Sequence, residues 1–420
     1  MFNNLELDSF LAFIKDIDLI PIKEKEEELC SLLNKREHNN PYHMEGNAWI
    51  HTVLVKSAIM SDFQWLYRDH NNYSELISHI LAIYHDAGKV FTTNKIQSDN
   101  FNHFYGHELL SGIIIEQLLK FCPYNYVLLP VEIPFIKKVI QMHMTNPYNI
   151  KPEKRHQLIL DLQKYFTYYL MLKYSDIEGM KMSDEISEEI KNNILDQKKR
   201  AKEEIIQNTT STLNMIWSSK DGDKCIANSN INYDLNYYNT IPRDEILSYF
   251  TIHPVNKKTV IVLIGTPLSG KSTIRKELIK YFTNKKYKID ILSKDDMRYE
   301  FNNSYDIMNK ETERKVSLLA NTKIKEFESN DSNILISDNT NKTVKVRLSQ
   351  ISNFKNKEKY DIIYVYADFI PLYKKINITK IRTENIISPK VILEHQAILE
   401  HPILSQRERY IKNLSILELI

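Results

Sequence analysis

Residues Thr259 to Thr273 read TVIVLIGTPLSGKST. Within them Val260 to Ile264 is an unbroken apolar, β-branched run, the pattern of a strand buried on both faces of a parallel sheet. It empties into Gly265-x-x-x-x-Gly270-Lys271-Ser272, and a helical period resumes over Ile274 to Phe282 (IRKELIKYF). Strand, glycine-bounded loop and helix form the setting that a phosphate-binding P-loop requires. Gly265, Thr266, Pro267, Leu268, Ser269, Gly270, Lys271, Ser272 and Thr273 would then wrap phosphate oxygens with backbone N–H groups and the helix N-terminus. Lys271 would reach the β- and γ-phosphates of ATP, and the Ser272 hydroxyl would ligate Mg²⁺. The chain has 8 glycines in 420 residues, and two occupy both required loop positions, which weighs against coincidence.

Downstream, apolar runs and helices alternate. Tyr287 to Leu292 predicts a strand leading into SKDDMR, and Asn333 to Ile336 one ending in SDNTN. Asp361 to Ala367 (DIIYVYA) predicts another, followed by a basic helix, PLYKKINITKIR. This βαβ series implies a parallel sheet with flanking helices, whose ligands gather beyond the carboxyl ends of the strands. Lys271, Asp295 and Asp338 all fall there. A carboxylate at Asp295 can take the proton of a hydroxyl acceptor, and Arg298, one helical turn on, suits an acceptor that also carries a phosphate.

Upstream of the P-loop the pattern is different. Residues 5–35 show helical periodicity broken at Pro21. A helix from about Trp49 is expected to place Ile50, Val53, Leu54 and Ala58 on one apolar face, with His51 beside it. The helix Ser74 to His85 leads into His85-Asp86-Ala87-Gly88-Lys89, with Gly88 as its expected C-cap. Further helices are read from His107, over Ile133 to His143, and over Gln157 to Tyr174, the last ending at Ser175-Asp176. No strand-like alternation occurs, so this half is expected to be all-helical. Residues 182–206 read as a charged helix, and 207–256, rich in Asn, Ser, Thr and Asp, as a linker with local structure. The expected domains are therefore 1–206, 207–256 and 257–420, a multidomain chain with an all-α bundle ahead of an α/β domain.

Composition sets bounds. With 42% hydrophobic and 26% charged residues the chain has an ordinary globular make-up, and its net charge of +2 does not by itself announce nucleic acid. Cys30, Cys122 and Cys225 form neither a metal-like spacing nor a paired framework, which suits a reducing, cytoplasmic setting. No run of about 18 apolar residues predicts a membrane span. Ten of the 13 histidines precede residue 160, so metal or acid–base chemistry is expected in the first half. His51, the His85-Asp86 pair and Asp176 come from three different helices. Imidazoles and carboxylates are ligands for divalent transition metals, and a helical bundle can aim them into one interior pocket.

In their order, His51, His85-Asp86-x-Gly88-Lys89, Gly106-His107-Glu108, His143 and Asp176 resemble the HD-domain metal phosphohydrolases. The stretches HMEGNAWIHT and YHDAGK look most like the HD domains of CCA-adding tRNA nucleotidyltransferases. The resemblance, over roughly residues 40–180, implies a metal held by His51, His85, Asp86 and Asp176 and hydrolysis of a phosphoester. It also implies that His107 and His143 bind substrate phosphate or a second metal, and that Lys89 meets a phosphate oxygen. The mixed His/Asp set fits Mn²⁺, Ni²⁺, Co²⁺ or Fe²⁺.

Over about residues 258–400, GTPLSGKST, SKDDMR and SDNTN resemble the P-loop polynucleotide 5′-hydroxyl kinases, such as the bacteriophage end-healing enzyme. That likeness implies Asp295 as general base, Arg298 as ligand of the acceptor phosphate, Asp338 as support for the metal or the acceptor pocket, and Asn341 as part of the same motif. One departure stands out: where the family's lid presents arginines, this chain reads KKINITKIRTENIISP, leaving Lys380 and Arg382 as lid cations and an isoleucine, Ile376, where an Arg would be expected. Together the halves resemble the bifunctional bacterial HD–polynucleotide kinases of RNA repair. That resemblance implies an enzyme that phosphorylates 5′-hydroxyl ends and removes 2′,3′-cyclic or 2′-phosphate ends. Its partners would be RNA ends, tRNA among them, or DNA ends, with an RNA ligase acting downstream. A nucleotide or small-molecule kinase joined to an HD nucleotide hydrolase is the alternative, and an ATP-switched binding protein on a helical scaffold is a third reading.

Overall fold

Val260 to Ile264 sits at the centre of a six-stranded, all-parallel sheet in the computed structural model of the chain. The structure describes residues 5–38, 40–70, 73–92, 94–95, 102–210, 237–302, 310–355, 357–381, 387–409 and 411–420. The chain divides into two compact units, Met1–Asn232 and Tyr233–Ile420.

The first unit is built of α1 (Leu7–Ile14), α2 (Ile22–Asn34), α3 (Ala48–Asp62), α4 (Gln64–Asp69), α5 (Glu75–Tyr84), α6 (His107–Phe121), α7 (Glu132–Met142), α8 (Pro152–Leu162), α9 (Lys164–Gly179) and α10 (Glu188–Thr210). Helix α9 buries Tyr165, Phe166, Tyr168, Tyr169, Leu170, Met171 and Leu172. A helix so nearly apolar all round belongs inside a bundle, and α9 packs against α3, α7 and α10. Asn47 caps α3, its side chain accepting from the Ile50 N–H at 2.9 Å.

Several expectations change. Ile50 and Val53 are exposed, whereas His51, Thr52, Val55, Ala58 and Ile59 are buried. The imidazole therefore lies on the inner face of α3, because the interior here is polar enough to receive it. Gly88 does not cap a helix; α5 ends at Tyr84, and Gly88 lies in a short 3₁₀ turn, Ala87–Val90. A Cβ on Gly88 would lie 2.1 Å from the His107 carbonyl oxygen, so close approach of backbones is what needs glycine here. The helix read over Gln157 to Tyr174 is two, broken at Gln163, whose φ is +53°. Asp176 consequently sits within α9 rather than at a helix end. A two-stranded antiparallel ladder, β1 (Asn94–Lys95) with β2 (Asn102–His103), also interrupts the helical pattern.

The second unit runs β3 (Tyr238–Ile241), α11 (Ile246–Ile252), β4 (Thr259–Ile264), α12 (Lys271–Asn284), β5 (Ile289–Leu292), α13 (Lys294–Asn302), α14 (Lys310–Ser329), β6 (Ile334–Asp338), α15 (Val344–Ser352), β7 (Asp361–Tyr366), α16 (Leu372–Ile381), α17 (Pro389–Ala397), α18 (Gln406–Arg409) and β8 (Leu414–Leu419). The sheet order is β3-β8-β7-β4-β6-β5. Alternate residues of β4 feed two cores: Val260, Val262 and Ile264 on one face, Ile261 and Leu263 on the other. Residues 238–252, read as linker from their composition, supply an edge strand and a helix to this sheet domain. The chain winds from β4 to one side (β5, β6) and then to the other (β7, β8), so the P-loop leaves the sheet where strand order reverses.

Candidate active sites

In the helical unit three elements converge. His51 comes from α3, His85 and Asp86 from the turn after α5, and Asp176 from α9; all are buried. His51 Nε2 lies 3.0 Å from Asp176 Oδ1 and 3.9 Å from Asp86 Oδ2, while His85 Nε2 lies 3.4 Å from Asp86 Oδ2 and 3.8 Å from Asp176 Oδ1. Ligands about 2.1 Å from a common cation stand about 3–3.5 Å apart, so the spacing fits a metal with little adjustment. Among the described residues His85 Nε2 is buried without a hydrogen-bond partner, as an atom kept for a cation would be.

Asp86 faces two ways. Its Oδ1 lies 3.2 Å from His107 Nε2 and 3.6 Å from His143 Nε2, on α6 and at the end of α7. Asp86, His107 and His143 thus make a second group of ligand type beside the first. Lys89 Nζ stands 2.6 Å from Asp86 Oδ2. Burial alone would raise the Asp86 carboxyl, but Lys89 and the surrounding imidazoles outweigh it and hold it well below the usual range. Burial likewise opposes charge on His51, yet Asp176 and Glu45 overcome it and lift this imidazole to about 9.

Three residues beside His51 escaped the sequence reading as site residues: Glu45, His38 and His43. Glu45 is buried with His38 Nδ1 at 3.3 Å, His43 Nδ1 at 2.7 Å and His51 Nδ1 at 3.0 Å, all from its Oε1. The signal available was the density of histidine between His38 and His51; no spacing in it matches a metal motif.

In the sheet unit Gly270, at φ +90°, closes the loop and opens α12. Lys271 folds inward, its Nζ donating to the carbonyls of Gly265 (3.0 Å) and Thr266 (2.7 Å) and to Ser269 Oγ (3.4 Å). Burial pushes its ammonium down to about 8, against the pull of Asp338 and Asp295. Asp338 pairs with Leu263 in the sheet register and shares a hydrogen bond with Ser272, so the two stand together where Mg²⁺ would be held. Burial raises the Asp338 carboxyl. Arg275 Nη1 lies 3.3 Å from Asp338 and 2.8 Å from Asp296.

Asp295, on the first turn of α13, is largely exposed, and its charge is felt by both Lys271 and Asp338. Arg298 pairs with Asp295 but is also gripped through both its Nε (2.6 Å) and Nη2 (3.0 Å) by Glu313 of α14, a partner that the sequence did not disclose. Asn341 is buried and braces the strand, its Nδ2 donating to the Leu263 carbonyl at 2.8 Å. Lys380 is exposed on α16, and Arg382 lies outside the described residues. Ile376 is buried on the inner face of the same helix. Beside it Lys375 is buried too, donating to Thr266 Oγ1 (3.0 Å) and paired with Asp368.

A glycine-bounded loop on the switch-point strand of a parallel sheet, with lysine inside and a Ser–Asp pair at its mouth, defines the second unit as a P-loop kinase-type enzyme domain that uses ATP and Mg²⁺. A family described as Chromatin associated protein KTI12 matches residues 259–400, within this unit alone. Among solved structures, a chain of the "Structure of the Pnkp1/Rnl/Hen1 RNA repair complex" is similar at 20% identity and a TM-score of 0.30, over 37% of this chain and 47% of that one. The chain thus spans about half the length of that relative. No curated protein matches. Among the described residues no helix is long and apolar enough to cross a membrane.

Proposed function

We propose that the chain is a two-site enzyme that heals broken nucleic-acid ends, RNA foremost, by phosphorylating 5′-hydroxyls in the sheet unit and hydrolysing 2′,3′-cyclic or 2′-phosphates in the helical unit. The observation that carries it is the buried meeting of His51, His85, Asp86 and Asp176, two imidazoles and two carboxylates within 3.0–3.9 Å of one another. Such a set has no structural use that apolar side chains would not serve better. Mn²⁺, Ni²⁺, Co²⁺ or Fe²⁺ bound there supplies Lewis acidity toward phosphoryl oxygens and a nucleophile from water at neutral pH. Lys89 meets the substrate's negative charge from beside Asp86, and His107 and His143 stand where they donate to phosphate or hold a second ion.

In the sheet unit Lys271 and the loop N–H groups hold the nucleotide's phosphates, while Ser272 and Asp338 hold Mg²⁺. Asp295 takes the proton of the incoming 5′-hydroxyl, which its exposure permits. An RNA ligase joining the repaired ends is the partner that this chemistry calls for, and the reducing setting implied by cysteine usage is the cytoplasm. The test is an RNA with a 5′-hydroxyl and a 2′,3′-cyclic phosphate, incubated with ATP and each divalent metal and followed end by end. Conversion of neither end would sink the proposal.

One observation favours a second reading. Glu313 already takes the Nε–Nη2 edge of Arg298 and Asp295 its Nη1, leaving less guanidinium for an acceptor phosphate. A kinase of small hydroxyl acceptors joined to a nucleotide hydrolase fits that arrangement. Preference for a plain nucleoside over an oligonucleotide as acceptor of labelled γ-phosphate would select it.

A further inference from the structure

We infer that Glu45 is a positioning residue that sets the metal centre of the helical unit by bracketing His51 from behind and Lys89 through His38. The inference rests on the metal-centre reading of that unit.

His51 presents Nε2 to Asp86 and Asp176, so its other nitrogen must carry the proton when Nε2 ligates a cation. That nitrogen, Nδ1, lies 3.0 Å from Glu45 Oε1. The approach is off the N–H axis, so the pairing is electrostatic first and a hydrogen bond second. A carboxylate behind a ligating histidine holds the ring in one tautomer and makes it a stronger ligand. The second arm is as definite. Lys89, paired with Asp86, lies 3.3 Å from His38 Nε2, so that nitrogen accepts from the ammonium and His38 donates from Nδ1 to Glu45 at 3.3 Å. Burial together with Lys89 keeps His38 neutral, its imidazole held down at about 3, as an acceptor from Lys89 must be. Glu45 Oε2 is not idle: it accepts from the backbone N–H of Lys181 at 3.1 Å, just past α9, the helix that carries Asp176. One carboxylate therefore ties together the histidine, the lysine and the helix of the aspartate.

His38, His43 and Glu45 could also be taken for a cation site of their own. The tautomer argues otherwise. With Nε2 of His38 facing an ammonium, its Nδ1 is protonated and has no lone pair for a metal.

The experiment uses the full chain, stripped by chelator and titrated with Mn²⁺ in a calorimeter, with circular dichroism to confirm helical content. Wild type should bind Mn²⁺ in a manner abolished by D86A. E45Q should bind it about 10–100-fold more weakly, while H43Q, which keeps both arms of the bracket, stays within about threefold of wild type. If E45Q loses its helical signal, E45D is titrated in its place; one methylene shorter, it cannot span the three imidazoles and should show the same weakening. A merely structural Glu45 would lower thermal stability and leave the affinity of the folded chain unchanged. Mn²⁺ affinity equal to wild type in folded E45Q overturns the inference while the metal centre stands. A second Mn²⁺ equivalent that H43Q removes overturns it in favour of a separate cation site. Absence of any Asp86-dependent Mn²⁺ binding in wild type overturns the metal-centre reading itself.

Discussion

Asp295 shows how much a single residue can carry in the sheet unit. It is the exposed carboxylate at the carboxyl end of the sheet whose charge reaches both Lys271 and Asp338. Replacing it with alanine should reduce 5′-phosphorylation by about 10²–10⁴-fold, measured with labelled γ-phosphate, and leave ATP affinity nearly unchanged. At His395 the prediction concerns pH. Burial and the neighbouring Lys342, 3.1 Å away, hold this imidazole down at about 4. An unfolded histidine titrates near 6.5, so between about 6.5 and 4 the unfolded chain binds the proton and the folded chain does not. Stability contributed here is therefore full above about pH 6.5 and falls as pH drops towards 4. Thermal melting at pH 7 and pH 5 should show a larger loss in wild type than in H395Q.

Among elements, the joint that fixes the edge of the second site is a buried ion pair. Arg347 of α15 is fully buried, its Nε and Nη2 each 2.7 Å from the carboxylate of Glu408 on α18, and its Nη1 donates to the carbonyls of Asn341 and Glu400 at 2.9 Å. The pair thus clamps α15 and α18 to the loop that follows Asp338. Removing one partner leaves a buried charge without compensation, so E408A should cost about 3–5 kcal/mol in chemical denaturation of the sheet unit. R347M/E408L, which removes both charges, should recover much of that loss. Loss from E408A within the range of surface substitutions would show that water reaches the pair.

For the molecule as a whole, two compact units with separate polar centres predict separable activities. D86A should abolish release of phosphate from a 2′,3′-cyclic end and leave ATP-dependent 5′-phosphorylation within about twofold, because the substitution touches only the helical unit. Loss of both activities in D86A would contradict two independent sites.

The P-loop was legible in the sequence because strand, glycine spacing and helix are local, and each rests on neighbours within a few residues. The order of His51, His85-Asp86 and Asp176 was legible too, through resemblance, although the face of α3 was not: Ile50 and Val53 look like core, and only the packed bundle shows that a polar centre claims the opposite side. Edge strand β3 stayed hidden in polar sequence, since a parallel edge takes its hydrogen bonds from a partner, β8, nearly 180 residues away. Glu313 and the bracing of Asn341 were invisible because their partners lie 15 and 78 residues away, whereas Glu45, within seven residues of its imidazoles, was hidden because its spacing matches no motif. A motif can be read from residues adjacent in the chain; the charge opposite a given side chain is chosen by the fold, which alone brings distant residues within reach of one another.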